Sequence, residues 1–307
     1  MHRTAVGLAA ATTALATTTA LLATTALTSA SAGAAGGTDG ADRADRADRA
    51  DRAARTGAVP AFALAGDRLV RFRTDRPGAA QVVGTFEGLR ADGRVVSIDV
   101  RPSSGVLYAL GDAGGVYTVD PATAALDLVS RVTEPLRGRA SIDFNPTVDL
   151  LRVVTTTGQN LRQDVDSLLT GTTVDTDLSY GEGVAEGVAG VAYTGNDADP
   201  DTGTQLYDVD AAADRVAQQV PANDGTLSAI GPLGRDVPQG LGFDVASRLD
   251  RSGRTVANTA YLTVPGPGGR DGRSRLFTVA LTAGDASPAG RFPRGLRITD
   301  VAVRTGR

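Results

Sequence analysis

The 307-residue sequence contains no cysteine, no lysine and no tryptophan, and its only histidine is His2. Without cysteine the chain has no disulfide framework and no thiol nucleophile. Without lysine there is no Schiff-base amine, and a single histidine next to the first residue excludes Ser-His-Asp and Cys-His catalysis in the rest of the chain. Zinc and copper sites built from imidazole or thiolate are excluded for the same reason. Carboxylate chemistry and oxygen ligands for hard cations remain.

The sequence has no strong excess of either charge, with 31 basic and 35 acidic residues. The formal net charge is −4, all the basic residues are arginine, and no basic stripe interrupts the sequence. A nucleic-acid or anionic-membrane binder needs such a stripe. We therefore expect neither partner for the mature chain.

The first 32 residues have the pattern of a secretory signal peptide. Arg3 provides the charged start, Ala5–Leu27 is a long run of Ala, Thr and Leu, and Ala30-Ser31-Ala32 is a small-x-small cleavage pattern. An uncleaved membrane anchor is the alternative, but the many threonines make the run a weak anchor. The pattern predicts cleavage after residue 32 and a secreted, extracellular protein.

The next segment, residues 33–58, is predicted to be a disordered spacer. It contains four Ala-Asp-Arg triplets between Ala41 and Arg52. A three-residue repeat builds no continuous apolar face on a helix, and each Arg is matched by an Asp. We therefore assign residues 59–307 alone to the folded domain.

From Pro60 onward the sequence predicts short strands separated by turn residues. An aspartate between two apolar residues recurs at Asp99, Asp143, Asp244 and Asp300, and Ala192 occupies the same setting. The intervals are 44, 49, 52 and 56 residues. A drifting period of that size filled with short strands is typical of β-propeller blades.

The expected fold is therefore all-β, a single propeller of about five four-stranded blades. A strand in Leu296–Val303 has no partners after it, whereas the first unit, which begins at Ala61, lacks its opening strand. We expect the C-terminal strand to complete the N-terminal blade and close the ring, which removes exposed sheet edges. A sixth blade stays open as an alternative if the segment Thr172–Ala192 contains a further hairpin.

The recurring aspartates are the candidate site. Asp99, Asp143, Asp244 and Asp300 are predicted on the innermost strands, next to the axial tunnel. In one interpretation each carboxylate accepts backbone N–H groups of a neighbouring blade. In the other they converge on a ligand or a cation, for which Ca²⁺ is the fitting ion. Ala192 breaks the symmetry of either arrangement.

A second acidic pattern, Asp197-x-Asp199-x-Asp201 with Asp208 further on, is a weaker metal candidate. Its spacing is similar to that of a calcium loop, but the glycine falls at position 203 and Pro200 stiffens the middle. The mismatch favours a solvated hairpin loop.

One part of the sequence resembles a known family. The string DFNPTVDLLRVVTTTGQNLR (Asp143–Arg162), NDGTLSAIGPLG (Asn223–Gly234) and Leu107–Leu110 are similar to a secreted bacterial family catalogued as domain of unknown function 4394. The resemblance covers about Ala61–Val303. The resemblance implies a propeller-like fold, but it assigns no activity, cofactor or site residue to the chain.

We expect a secreted, monomeric binding or interaction module for an extracellular ligand or protein, without a required cofactor. The rigid ring with variable loops favours binding over catalysis. Two enzymatic alternatives stay open, a carboxylate-based, glycosidase-like hydrolase and a metal-dependent hydrolase, each with its site at the tunnel.

Overall fold

The computed structural model describes residues 58–168, 170–197, 199, 201–266 and 272–306. The predicted signal peptide and all but the last residue of the predicted spacer lie outside this part of the chain. Within it, the regular structure is β-strand apart from a short 3₁₀ segment, Pro77–Ala79. No helix in these ranges is long and apolar enough to cross a membrane.

Twenty strands form five antiparallel sheets of four strands each. In chain order they are β1 (Pro60–Ala65), β2 (Arg68–Arg73), β3 (Gln81–Thr85), β4 (Val95–Val100), β5 (Leu107–Gly111), β6 (Gly115–Val119), β7 (Leu126–Arg131), β8 (Ala140–Phe144), β9 (Leu151–Thr155) and β10 (Asn160–Gln163). They continue as β11 (Thr172–Val174), β12 (Val188–Tyr193), β13 (Leu206–Asp210), β14 (Arg215–Gln219), β15 (Leu227–Pro232), β16 (Gly242–Leu249), β17 (Thr255–Val264), β18 (Arg275–Val279), β19 (Ala286–Arg291) and β20 (Asp300–Val303).

The five sheets are the blades of a propeller. Blade 1 has the order β20-β1-β2-β3, and blades 2 to 5 take four consecutive strands each, beginning with β4, β8, β12 and β16. The innermost strands β20, β4, β8, β12 and β16 contact one another around the ring. The five-blade prediction is confirmed, and Thr172–Ala192 contains no extra blade.

The ring closes as the sequence predicted. Strand β20 pairs antiparallel with β1, with Val303 opposite Ala61 and Asp300 opposite Leu64. The paired segment is shorter than the predicted run Leu296–Val303. Leu296 and Ile298 are buried in the apolar layer between blades 5 and 1 instead.

Each pair of neighbouring blades encloses its own apolar layer. Both faces of a blade are covered, so its strands alternate between two layers and are buried on both sides. Two glycines on the inner strands are required by close approach: a Cβ on Gly190 would lie 2.7 Å from Phe243 Cβ, and one on Gly242 would collide with the β20 backbone at Asp300. The inner strands are therefore packed too tightly for side chains at these two points.

Candidate functional site

The inner strands bring three of the four predicted aspartates together. Asp99, Asp143 and Asp244 each place a carboxylate oxygen within 4.8 Å of the others, and no other group of three potential metal ligands converges in the part of the chain that the structure describes. They come from blades 2, 3 and 5. We call these three residues the aspartate triad.

Each member of the aspartate triad accepts a hydrogen bond from the backbone of another inner strand. Phe144 N–H donates to Asp99 (2.7 Å), Tyr193 N–H to Asp143 (3.0 Å) and Val303 N–H to Asp244 (2.5 Å). Asp99 and Asp244 also accept from the N–H of the residue that follows them. The carboxyl groups thus connect blade 2 to blade 3, blade 3 to blade 4 and blade 5 to blade 1, and they satisfy buried backbone donors.

Asp300 lies at a different level of the tunnel. Its carboxylate accepts from Ser97 Oγ (2.6 Å) and Ile98 N–H (2.8 Å), residues that precede Asp99 on β4. The three backbone N–H groups that donate to the triad belong to the residues directly after Asp143, Ala192 and Ala302, and Ala302 lies on β20. Ala302, two residues beyond Asp300, therefore occupies the triad level on blade 1.

The triad level thus carries alanine in two of five blades. At blade 4, where Ala192 provides no carboxylate, Asn196 makes the link to blade 5 instead. Its Nδ2 donates to Val245 O (2.8 Å) and its backbone N–H to Ser247 Oγ (2.9 Å). The asymmetry that Ala192 predicted is therefore present, and a different side chain bridges that junction.

Burial dominates the electrostatics of these carboxyl groups. It raises the pKa of Asp99 to about 7 and the pKa of Asp300 to about 7, against the lowering effect of their hydrogen bonds. The pKa values of Asp143 and Asp244 are raised well above the ordinary value by burial and then by neighbouring carboxylates, with a side-chain hydrogen bond to Asp244 adding to the effect at Asp143. Ionisation of all three carboxyl groups at the same time is therefore disfavoured.

A cavity of about 310 Å³ lies where the inner strands end. We call it the C-end mouth. Asp99 and Asp143 lie at its inner side, and Ser104, Asn196 and Arg304 are among its other lining residues. The Arg304 guanidinium donates to Gly105 O (3.2 Å) and forms no ion pair within the described residues. The cavity has both polar and apolar lining residues. Its Arg304 guanidinium lies 5.8 Å from the centre of the Phe62 ring and has no carboxylate partner among the described residues.

Arg101 also lines the C-end mouth, but its donors are already used. It forms two hydrogen bonds to Asp149 (2.9 and 2.7 Å) and two to Asp166 (3.0 and 2.8 Å), and one longer bond to Tyr108 Oη. These partners hold blade 2 to blade 3. Arg101 is therefore a structural cation, and nothing in the sequence periodicity identified it.

The second predicted acidic group is placed in the loop after β12. Asp197 accepts from the backbone N–H groups of Asp199 (2.9 Å) and Thr255 (2.6 Å), and Asp199 accepts from Asp201 N–H (3.0 Å). Asp208 lies inside β13, fully buried, with both carboxylate oxygens lacking a hydrogen-bond partner. Burial raises its pKa well above the ordinary value. The described carboxylates of this loop thus serve its backbone and the adjoining strand.

A buried polar network lies within the string that resembles the family. Within DFNPTVDLLRVVTTTGQNLR, Arg152 is 1% exposed and donates to Asp175 (2.6 Å), Asn160 (2.7 Å) and Asn223 (2.8 Å). Its Nε donates to Tyr193 Oη (3.2 Å). This buried network joins blades 3 and 4. The polar residues Gln159 and Asn160, which stand next to a predicted strand, were the signal in the sequence for this network.

Comparisons with known proteins place the chain in a family without a described activity. The model of the family described as Domain of unknown function (DUF4394) matches residues 68–302. The sequence matches no curated protein.

Solved structures show only remote likeness. A nidogen/laminin complex chain has a TM-score of 0.47 at 12% identity, over 80% of this chain and 98% of that one. A protein of unknown function from Bacteroides thetaiotaomicron has a TM-score of 0.42 at 14% identity, over 80% of this chain and 64% of that one. An auxiliary nutrient-binding protein from the same organism has a TM-score of 0.38 at 14% identity, over 64% of this chain and 53% of that one. At these scores the likeness carries no inference about what this chain binds.

Proposed function

Because the chain belongs to the DUF4394 family, whose description names no activity, we propose from its geometry that it is a binding module that takes a small polar ligand in the C-end mouth. The single observation that supports this is a cavity of about 310 Å³ directly outside a set of carboxyl groups that are already committed to the backbone. Rigid propellers present such openings at the ends of their tunnels.

The burial of the aspartate triad argues against catalysis. Asp99, Asp143 and Asp244 are 5%, 2% and 3% exposed. A general acid or nucleophile has to come within hydrogen-bond reach of the substrate. Asp99 and Asp244 use both carboxylate oxygens for backbone N–H groups, and Asp143 uses one. Their role in this proposal is to hold the inner wall of the mouth in place.

The lining of the mouth indicates the chemistry of the ligand. The hydroxyl groups of Ser104 and Thr305 and the guanidinium of Arg304 can donate hydrogen bonds, and the carboxyl groups of Asp99 and Asp143 lie at the inner side. No tryptophan is available as a stacking platform. A compact ligand with several hydroxyl, amine or carboxylate groups fits this set. The predicted signal peptide supports binding outside the cell, and we propose that the protein acts as a secreted monomer.

A panel of monosaccharides, polyols and amino acids tests the proposal by thermal shift, followed by titration calorimetry of any compound that stabilises the chain. Ser104→Trp fills the cavity and Arg304→Gln removes its guanidinium. Both should weaken binding about tenfold or more, as expected when a hydrogen bond to a charged group is lost. Arg76→Gln is the matched control, because Arg76 is exposed and lies on the β2–β3 connection.

Two outcomes would overturn the proposal. If a stabilising compound binds the two mouth variants as tightly as the wild type, the ligand lies elsewhere. If glycosides, lactones or phosphate esters are turned over and Asp143→Asn abolishes the turnover, the protein is a carboxylate hydrolase. The second candidate is favoured by one observation only, the raised pKa of Asp143 beside Asp244, which is a property of general acids.

A further inference from the structure

A second cavity, of about 390 Å³, opens at the other end of the tunnel, where the inner strands begin. We call it the N-end mouth. Arg94, before β4, and Arg139, before β8, line it together with Asp112 and Thr299. Neither arginine belongs to the site described above, and the two mouths lie at opposite ends of the inner strands.

Arg139 reaches across the ring. Its Nε donates to Gln239 O at 3.2 Å, and a Cβ built on Gly240 would lie 3.4 Å from its Nη2. Arg139 belongs to blade 3 and Gln239 precedes the inner strand of blade 5, with blade 4 between them in the ring. The guanidinium therefore lies at the level where the inner strands begin, with one terminal nitrogen, Nη2, beside Gly240.

Positive charge accumulates around this side chain. Burial and the charges of Arg94 and Arg297 lower the pKa of Arg139, and only Asp300 acts in the opposite direction. Asp300 is itself buried, with a pKa raised to about 7. Within the described ranges, neither Arg139 nor Arg297 takes part in a salt bridge.

The one acidic side chain at the rim is already engaged. Asp112 accepts from the backbone N–H groups of Gly93 (2.7 Å) and Arg94 (3.3 Å), and the Nε of Arg94 lies 3.6 Å from its other oxygen. This carboxylate compensates one of the two arginines that line the mouth. The N-end mouth therefore has an excess of cationic groups over an open cavity.

We propose that the N-end mouth binds the oxyanion group of a small ligand, a carboxylate, phosphate or sulfate, with Arg139 as the principal contact and Arg94 as the second. The planar guanidinium matches such groups with two parallel N–H donors. The Nε of Arg139 donates to Gln239 O, and its terminal nitrogens can donate to the ligand. An anion held between like charges also removes their mutual repulsion.

Titration calorimetry of the full chain with inorganic phosphate and with citrate, at an ionic strength held constant with sodium chloride, tests the site and separates phosphate from carboxylate ligands. We expect at least one of the two to bind the wild type and Arg139→Gln to bind it about tenfold or more weakly. Arg94→Gln should weaken it less, because Asp112 already compensates Arg94. Arg251→Gln, on the exposed β16–β17 turn, is the control and should bind as the wild type does.

Melting in chloride alone shows whether the variants fold. Arg139→Gln should melt no lower than about the wild-type temperature, because the loss of one hydrogen bond is offset by the loss of like-charge repulsion. If it does not fold, Arg94→Gln and Arg297→Gln decide the question. The inference is overturned if neither phosphate nor citrate binds the wild type more tightly than chloride does. It is also overturned if Arg139→Gln binds the anion as tightly as the wild type. If Arg139→Gln does not fold, the same result for both Arg94→Gln and Arg297→Gln overturns it. Neither result bears on the C-end mouth.

Discussion

The backbone N–H of Tyr193 donates a 3.0 Å hydrogen bond to Asp143 Oδ1 across the junction of blades 3 and 4. The same relationship connects Phe144 to Asp99 one junction earlier. The apolar layers between blades are not directional, whereas these bonds fix how far one inner strand is displaced along the next. The buried carboxyl groups therefore set the register of the ring.

The stability of the protein should fall as the pH rises from 5 to 8. A carboxyl group whose pKa is higher in the folded state than in the unfolded chain binds more protons when folded. Its stabilising contribution is complete below the unfolded value, near 4, and is lost as the pH rises through the folded value. For Asp99 and Asp300 that value is about 7. We expect the melting temperature to drop by about 5 °C or more across this range.

Among the described residues, one further carboxyl group contributes in this pH range, since burial raises the pKa of Asp208 well above the ordinary value as well. His2 is the only histidine, and the carboxyl groups with lowered pKa act below pH 4; these are Asp120, Asp166, Asp197 and Asp250. Asp143→Asn, which mimics the protonated carboxyl group, should flatten the dependence, whereas Asp120→Asn on an exposed turn should preserve it. A melting temperature independent of pH in the wild type would show that these carboxyl groups are ionised in the fold.

Deletion of Leu296–Arg307 should abolish cooperative folding. The truncation removes β20 and leaves β1 as an exposed inner edge, and it takes Ile298, Val301 and Val303 from the layer between blades 5 and 1. Unpaired strand edges aggregate. We expect insoluble protein, or a soluble protein without a melting transition by circular dichroism.

A circular permutant provides the control for this deletion. Fusion of residues 296–307 ahead of Ala58 makes β20 and β1 a hairpin, since Val303 is paired with Ala61. The permutant should regain a cooperative transition near that of the wild type. Closure would not be needed for stability if the truncated chain melted like the complete one.

Arg152→Met should lower the free energy of unfolding by about 3–5 kcal/mol, because the substitution leaves a buried carboxylate with less compensation. Asp175 is 5% exposed and retains only the partly exposed Arg162. Urea unfolding measures the effect. Arg76→Met, at a side chain 77% exposed, should stay within about 0.5 kcal/mol of the wild type. A loss below about 1 kcal/mol for Arg152→Met would mean that the network does not hold blades 3 and 4 together.

Much of the fold could be predicted from the sequence because each blade is a local unit. Short strands separated by turn residues, with an aspartate recurring between apolar residues, indicated the blades, and the unpaired C-terminal segment indicated closure.

The site was less predictable because it depends on register between blades. The apolar-Asp-apolar pattern placed Asp300 with the triad, but Ala302 occupies that level, and no local pattern sets the offset between two strands 200 residues apart. Arg139 escaped notice for a similar reason. A single arginine before a strand has no periodic signal, and its contact with Gln239 exists only once the ring is closed.

In this structure the aspartate triad holds the ring together while ligands bind at the mouths, and a calcium titration of the melting temperature distinguishes this role from cation binding. Two of the three carboxyl groups use both oxygens for backbone N–H groups, and burial disfavours the ionisation of all three together. We predict the same melting temperature for the wild type in EDTA and in millimolar calcium. A cation that bound only the folded state would raise it as calcium exceeded the dissociation constant. A calcium-dependent rise in the wild type that is absent in Asp143→Asn would contradict the account and identify the triad as a cation site.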